Sequence, residues 1–158
     1  MLYPFRFLSG SPTRRGQSTA GRGAVIRAIL PSRLEYRDLA IRLVASACKL
    51  VPTSGDEFGN EVVSAFSEAL NNVVIHGGGS PEDEVEIEID LGDDRMTLRL
   101  KDYGMSFDPR TVAPPDLDAL PESGMGAFII MSFMDQVSYE AGTPNTLSMT
   151  KVVGRSLQ

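Results

Sequence analysis

The stretch that decides the fold class, residues 84–102, reads EVEIEIDLGDDRMTLRLKD. From Glu84 to Leu91, acidic and apolar residues alternate strictly, which predicts a strand with one wet face and one buried face. Residues 92–94 suit a tight turn, and the apolar residues then alternate again until the chain reaches Asp102. This stretch therefore predicts a β-hairpin.

A short strand and two amphipathic helices are predicted before this hairpin. Residues 24–30 have the composition of a strand and stop at a proline. Ser32–Glu35 and Ser54–Glu57 both have the spacing of a capping box, so each is predicted to begin a helix. The first helix is expected to end at Pro52, and the second near His76, before three glycines. The inward apolar residues are predicted to be Leu39, Leu43, Ala47 and Leu50 in the first helix and Phe58, Val62, Phe66, Leu70 and Val73 in the second.

A polar stripe is predicted on another side of the second helix. It contains Glu61, Glu68, Asn72 and His76, and the last three follow one another at intervals of four residues. Asparagine is a poor residue for a helix interior, because its amide competes for backbone hydrogen bonds. The pair Asn71 and Asn72 is therefore a locally unfavourable choice of the kind that often marks function.

The second half of the chain ends in a loop, a helix and two strands. Residues 109–122 are acidic and rich in proline, without a usable periodicity, and are predicted to form a loop. An apolar helix is expected from about Ala127 to Met134, followed by strands near Val137 and at 147–153. Because helices and antiparallel strands come in blocks, the predicted fold class is α+β: a two-layer sandwich with helices on one face of a mixed, mostly antiparallel sheet.

The charge divides the chain into two parts. Residues 1–34 hold six arginines and no acidic residue, whereas the net charge of the whole chain is −6, which leaves −12 on the remainder. We expect a basic, flexible N-terminal extension over 1–23 and one acidic domain over 24–158. The extension also has the composition of an organellar transit peptide. The acidic body argues against a nucleic-acid partner.

Other classes of protein are disfavoured by what the sequence lacks. No stretch has the apolar length of a membrane span or the apolar core of a signal peptide, so a cytoplasmic protein is expected. Cys48 is the single cysteine, and it is predicted to be a core residue. The sequence also contains no phosphate-binding P-loop, no nucleophile elbow and no second histidine for a metal triad.

Three weaker signals for a site remain. Glu68 stands one helical turn before Asn72, although a glutamate on a helix is usually a solvated surface residue. Asp102 ends a strand, where an aspartate equally serves as an ordinary turn residue. Gly124 and Gly126 precede a helix, where they serve either a tight turn or the binding of phosphate oxygens by free N–H groups.

Together these residues resemble a known ATPase superfamily. Ser67–Asn72, Asp102–Ser106, Ser123–Gly126 and Asn145–Thr146 are similar, in order and spacing, to the N, G1 and G2 boxes and terminal threonine of the gyrase, heat-shock chaperone, histidine kinase and mismatch-repair ATPases. Within that superfamily the chain resembles the bacterial anti-sigma-factor serine/threonine kinases, also through residues 132–137. The resemblance extends over residues 24–153.

The resemblance implies a role for each matching residue. Asn72 is implied to give an oxygen ligand to Mg²⁺, and Glu68 to be the general base toward a serine hydroxyl. Asp102 is implied to accept a hydrogen bond from the adenine amino group, with support from Thr146. Residues 109–122 are implied to form a lid. The backbone is implied to close on ATP at Gly104, Gly124, Met125 and Gly126.

Two positions depart from the family pattern. Ser106 stands where the G1 box usually has its second glycine, which bears on how the lid hinges. Asn145 stands where glycine is usual before the threonine, and asparagine also tolerates the left-handed conformation. Neither position is implied to touch Mg²⁺ or the transferred phosphate.

The function predicted from the resemblance is an ATP-dependent serine/threonine kinase that acts as an anti-sigma factor. Its partners are expected to be a sigma factor and a STAS-type anti-anti-sigma protein, which it phosphorylates, and a homodimer around the first strand and helix is implied. Arg37 and Arg42 are candidate contacts with the antagonist, although exposed helical arginines are more often only solvated. The alternatives are an ATP-gated binding module without phosphotransfer, a histidine kinase fragment and an interaction domain without nucleotide.

Overall fold

A single five-stranded sheet with helices on one face organises the described residues, which are 23–52, 54–77, 80, 83–115 and 124–154 of the computed structural model. The elements in chain order are β1 (Ala24–Pro31), α1 (Arg37–Cys48), α2 (Asp56–Asn71), β2 (Glu84–Leu91), β3 (Arg95–Asp102), α3 (Met125–Phe133), β4 (Gln136–Glu140) and β5 (Asn145–Val152). Short 3-10 turns lie at Leu34–Tyr36 and Pro109–Thr111, and a π turn lies at Asn72–His76. The predicted extension lies outside the described residues except for Gly23, so the domain boundaries stay a prediction.

The sheet confirms the predicted α+β sandwich and corrects one detail of it. The strand order is β1-β2-β3-β5-β4, and the described strands pair only in antiparallel fashion, so the sheet is not mixed. The predicted hairpin is β2 and β3, in which Ile87 pairs with Leu100. Every second residue of each strand, in the set that includes Ile87 and Leu100, faces the helices and is buried, as the alternation predicts.

The opposite face of the sheet carries cross-strand ion pairs. Glu88 accepts hydrogen bonds from Arg27 Nε at 2.7 Å and from Arg99 Nη1 at 2.6 Å. The hydrogen bond from Arg27, first of all, holds the pKa of the Glu88 carboxyl below its ordinary value. Lys101 donates to Glu86 at 2.8 Å. Glu86 and Glu88 of β2 are therefore paired on the wet face.

The core lies between this sheet and the three helices. The predicted inward residues of α2 are confirmed: Phe58, Val62, Phe66 and Leu70 are buried, and Val73 is partly buried. Glu61 does not belong to the polar stripe as predicted, because it is buried and its carboxylate pairs with Lys151 Nζ at 2.6 Å. A charge inside the core requires such a partner, so Glu61 serves to tie α2 to β5.

The apolar face predicted for the first helix meets the core only in part. Ala47 is buried and Leu43 is partly buried as predicted, whereas Leu39 and Leu50 are 54% and 63% exposed. The other buried residues of α1 are Ala40, Val44 and Cys48. Small residues on the core side let α1 lie close to α2, and the leucines extend to the side. Cys48 is buried as predicted, and burial raises the pKa of its thiol to about 11.

Both predicted capping boxes are wrong. The residues that precede α1 and α2 are Tyr36 and Gly55, and neither makes a side-chain capping bond. The Ser54 hydroxyl instead donates to the carbonyls of Cys48 and Val51, at 3.0 and 2.9 Å, and so closes the end of α1. The Ser54 hydroxyl is therefore used by the preceding turn and not by α2. Among the helices that the structure describes, none has the length and apolar character to span a bilayer.

Candidate functional site

The polar residues at the end of α2 lie where its hydrogen-bond pattern changes. The predicted single helix to His76 is an α-helix only as far as Asn71, and a π turn follows. Such turns are rare and frequently occur at functional sites. Asn72 begins this turn, and its Nδ2 is buried without a hydrogen-bond partner. Because an unpaired buried amide is unfavourable, Asn72 is suited to complete its bonding with a ligand. His76 is exposed at the helix end.

Glu68 lies beside the start of α3. A Cβ built on Gly126 falls 2.8 Å from Glu68 Oε2, so any larger residue at 126 displaces the carboxylate. Gly126 therefore leaves the space that Glu68 occupies. A negative charge is also favoured near the first turn of a helix, where backbone N–H groups are unpaired. The structure thus brings together two residues that lie 58 positions apart in the chain.

Gly124 sets the direction in which α3 begins. It is the residue before the helix and has φ of +85°, a left-handed conformation that strongly favours glycine. Met125 follows and is 37% exposed. The first turn of α3 lies next to Glu68, and the N–H groups at such a helix start suit phosphate oxygens.

Asp102, at the end of β3, is held in place by its neighbours. It is buried, and its Oδ1 accepts hydrogen bonds from Gly104 N at 2.9 Å and from Asn145 Nδ2 at 3.3 Å. Both bonds use the same oxygen, so Oδ2 is left as an acceptor toward a ligand. The pattern suits recognition of an amino group.

The loop after β3 is attached to the end of the π turn. A Cβ on Gly104 would fall 2.5 Å from the carbonyl oxygen of Gly77, and Met105 N donates to that oxygen at 2.5 Å. Only glycine permits the approach at 104. The contact places Asp102 and Asn72 at the same end of the sandwich, which the chain order alone does not specify.

Thr146 is not brought to Asp102, and Asn145 takes the place expected for it. Asn145 is 3% exposed, and its Nδ2 donates to Asp102 and to the carbonyl of Gly104 at 3.0 Å. Thr146 pairs with Lys101 and points to the helix-free face of the sheet, because successive strand residues alternate. The sequence did contain a signal for this: Asn145 lies two residues before the apolar Leu147, so the two side chains point to the same, buried face of β5.

The segment that leads into the predicted lid, and Arg110 within the lid, are bonded to Tyr139 of β4. Tyr139 OH donates to Ser106 Oγ at 3.0 Å and accepts from Phe107 N at 3.0 Å. Asp108 forms an ion pair with Arg110, whose hydrogen bond lowers the pKa of the Asp108 carboxyl. Arg110 also donates to the Tyr139 carbonyl at 3.3 Å. A hinge motion of the lid that begins at Ser106 would therefore break the bonds of Tyr139 to Ser106 and Phe107. Residues 116–122 of the lid, and Ser123, lie outside the described residues.

The arrangement is suited to a nucleotide with its metal ion. Glu68 and the first turn of α3 lie on one side, Asn72 with its unpaired amide lies at the π turn, and Asp102 lies beside the loop at Gly104. Asn72 also carries an amide oxygen, which is the ligand type that Mg²⁺ takes together with phosphates. These residues fit Mg-ATP.

Comparisons with known proteins show which family the chain matches. Residues 30–151 match the family described as histidine kinase-like ATPase domain. The chain is 29% identical over 134 residues to "Serine-protein kinase RsbW" of a Bacillus cereus strain, covering 80% of this chain and 83% of that protein. The RsbW of Bacillus thuringiensis subsp. konkukian gives the same values.

A solved structure has a similar fold. It contains the RsbU and RsbW domains of Rv1364c from Mycobacterium tuberculosis, and the likeness has a TM-score of 0.63 at 13% identity. The match covers 85% of this chain and 34% of that longer chain. At this identity the likeness shows the fold, and the resemblance stated from the sequence is confirmed by the family and the relatives together.

Proposed function

The chain belongs to the histidine kinase-like ATPase domain family, and from that membership we propose that it is an ATP-dependent serine/threonine kinase acting as an anti-sigma factor. Its substrate is a serine of a STAS-type anti-anti-sigma protein, and its other partner is a sigma factor. The proposal is supported by the relatives, which are serine-protein kinases.

One observation carries the proposal: Glu68 lies beside the start of α3, one helical turn before Asn72, whose buried amide nitrogen has no hydrogen-bond partner. Asn72 supplies an oxygen ligand to Mg²⁺, and Glu68 takes the proton of the substrate serine hydroxyl. When bound, Mg²⁺ neutralises charge on the phosphates during transfer. The N–H groups at Met125 and Gly126 bind phosphate oxygens.

The adenine end of the site is formed by the loop after β3. Asp102 accepts a hydrogen bond from the adenine amino group, since its Oδ1 is already bonded and Oδ2 remains. Asn145 holds that carboxylate in position, in place of Thr146. Gly104 keeps the loop close to the end of α2.

The regulatory part of the proposal is partner exchange in the cytoplasm. ATP and ADP differ in the γ-phosphate, and this difference orders the lid and selects the partner. On α1, Arg42 is exposed and free to meet an acidic antagonist. Arg37 is not, because it is bonded to α2.

A homodimer through β1 and α1 completes the proposal. β1 is an edge strand of the sheet, and its Val25 and Ile29 are 51% and 52% exposed. Leu39 of α1 and Leu50, which follows α1, are exposed as well, on the helix side of the sheet. An edge strand beside exposed apolar side chains is a surface that a second copy can cover.

The proposal is tested by titration calorimetry followed by a phosphotransfer assay. We expect Mg²⁺-dependent ATP binding in the wild type, and its loss in Asn72→Ala. Glu68→Gln should keep ATP binding and lose transfer to a STAS-type substrate by about 10²-fold or more. Wild type that binds Mg-ATP and transfers nothing favours the gated module, for which the Ser106–Tyr139 bond is the supporting observation. Absence of nucleotide binding refutes both.

A further inference from the structure

Arg37, the first residue of α1, joins that helix to the turn of α2 that carries the candidate site. Its Nε donates to Asn71 Oδ1 at 2.7 Å, and its Nη2 donates to Ser67 Oγ at 2.8 Å. The side chain is 32% exposed. One rigid guanidinium therefore holds two residues of the neighbouring helix in a fixed geometry.

The two residues that Arg37 holds directly precede the two functional candidates. Ser67 and Asn71 are four positions apart, as are Glu68 and Asn72. Consecutive helical residues are separated by about 100° around the axis. The residues that Arg37 holds and the two functional candidates therefore lie on adjacent faces of the same helical turns. Asn71 is also the last residue of α2 before the π turn. Rotation of α2 at this point would displace both the carboxylate and the amide.

Arg37 is an unfavourable residue for its own helix. A cation at a helix N-terminus opposes the helix dipole. Asp38 lies 3.7 Å from Arg37 Nη1, but it is 81% exposed, and such pairs contribute little. The bonds to α2 are the contribution that explains this residue.

We propose that Arg37 is a positioning residue, which sets the orientation of Glu68 and Asn72 by holding Ser67 and Asn71. The inference rests on the proposed nucleotide site. It predicts an effect on the metal and phosphate end of that site, because the adenine end is fixed independently through Asn145.

The test compares two kinds of nucleotide binding in the full chain. Arg37→Met keeps the aliphatic stem and removes both donors. Titration calorimetry with ATP, with and without Mg²⁺, measures the gain in affinity that depends on Mg²⁺, and ADP without Mg²⁺ reports on the adenine end. We expect the Mg²⁺-dependent gain to fall about tenfold and ADP affinity to change less than about twofold. Arg37→Lys should recover part of the gain, since it keeps one donor group.

Two further variants separate positioning from general stability. Arg33→Met is the matched control, because among the described residues the side chain of this nearby arginine bonds only to the exposed Glu35, at 3.4 Å, and its removal should change neither affinity. Asn71→Ala removes one acceptor, and the double variant with Arg37→Met should bind no more weakly than the weaker single variant.

Each contrary result has a separate meaning. If Arg37→Met keeps the full Mg²⁺-dependent gain, the positioning role is refuted and the nucleotide site stands. If the Mg²⁺-dependent gain and the ADP affinity fall equally, and the effects of Arg37→Met and Asn71→Ala are additive, Arg37 only stabilises the fold. If the wild type binds no nucleotide, the proposed function and this inference fail together.

Discussion

Replacing Lys151 with methionine removes the cation that neutralises Glu61 inside the core. The two side chains are 4% and 8% exposed and 2.6 Å apart, so neither can exchange its partner for bulk water. Removing one member of a buried pair costs about 3–5 kcal/mol, because the other charge is left uncompensated. That is a large part of the roughly 5–15 kcal/mol that stabilises a domain. We therefore expect Lys151→Met to fold poorly at ambient temperature.

The double variant Glu61→Leu with Lys151→Met is compared with the wild type and with each of the two single variants. Replacing a whole buried pair with apolar residues is often neutral or stabilising, so the double variant should lie within about 1 kcal/mol of the wild type or above it. Urea unfolding followed by circular dichroism measures the free energies of unfolding of all four proteins. A single variant that loses less than about 1 kcal/mol would refute the reasoning, as would a double variant as unstable as the sum of both singles.

Three further predictions concern the site and the sheet. Gly126→Ala should displace the Glu68 carboxylate and lower phosphotransfer by about 10²-fold or more, with a smaller change in ATP affinity, measured by transfer kinetics and calorimetry. Asn145→Ala should weaken ADP binding by about tenfold, because the carboxylate at the end of β3 loses a donor, whereas Thr146→Ala should leave it nearly unchanged; equal effects would contradict the assignment. The lowered pKa of Glu88 means that its stabilising contribution is present above the unfolded pKa and is lost as the pH falls through the folded one. The stability difference between wild type and Glu88→Gln should therefore be constant near neutral pH and shrink below about pH 4 in urea titrations.

Part of the candidate site was predictable because it depends on local sequence. Glu68 and Asn72 are one helical turn apart, and Gly124 with Gly126 precedes an apolar helix, so their spacing is visible without a structure. The resemblance to a known ATPase family supplied the link between them. The π turn at Asn72–His76 was not predictable, because local propensity does not distinguish it from a continuing α-helix.

The assignment of Thr146 shows a different limit. The match of a motif gave the residue type, whereas the parity of β5 decides which side chain faces the site. Asn145 lies on the buried side and Thr146 on the other. A shift of one position thus moves a role from one face of the sheet to the opposite one.

The sequence by itself determined the hairpin, the apolar side of α2 and the α+β class, because alternation and helical periodicity record which side of an element is buried. Only the tertiary structure decided which face of α1 meets the core, that Glu61 pairs with Lys151, and that Arg37 bonds to Ser67 and Asn71. Those outcomes depend on neighbours distant in the chain. Apolar residues can fill more than one face of a helix, and a polar residue is placed by the partner that satisfies it.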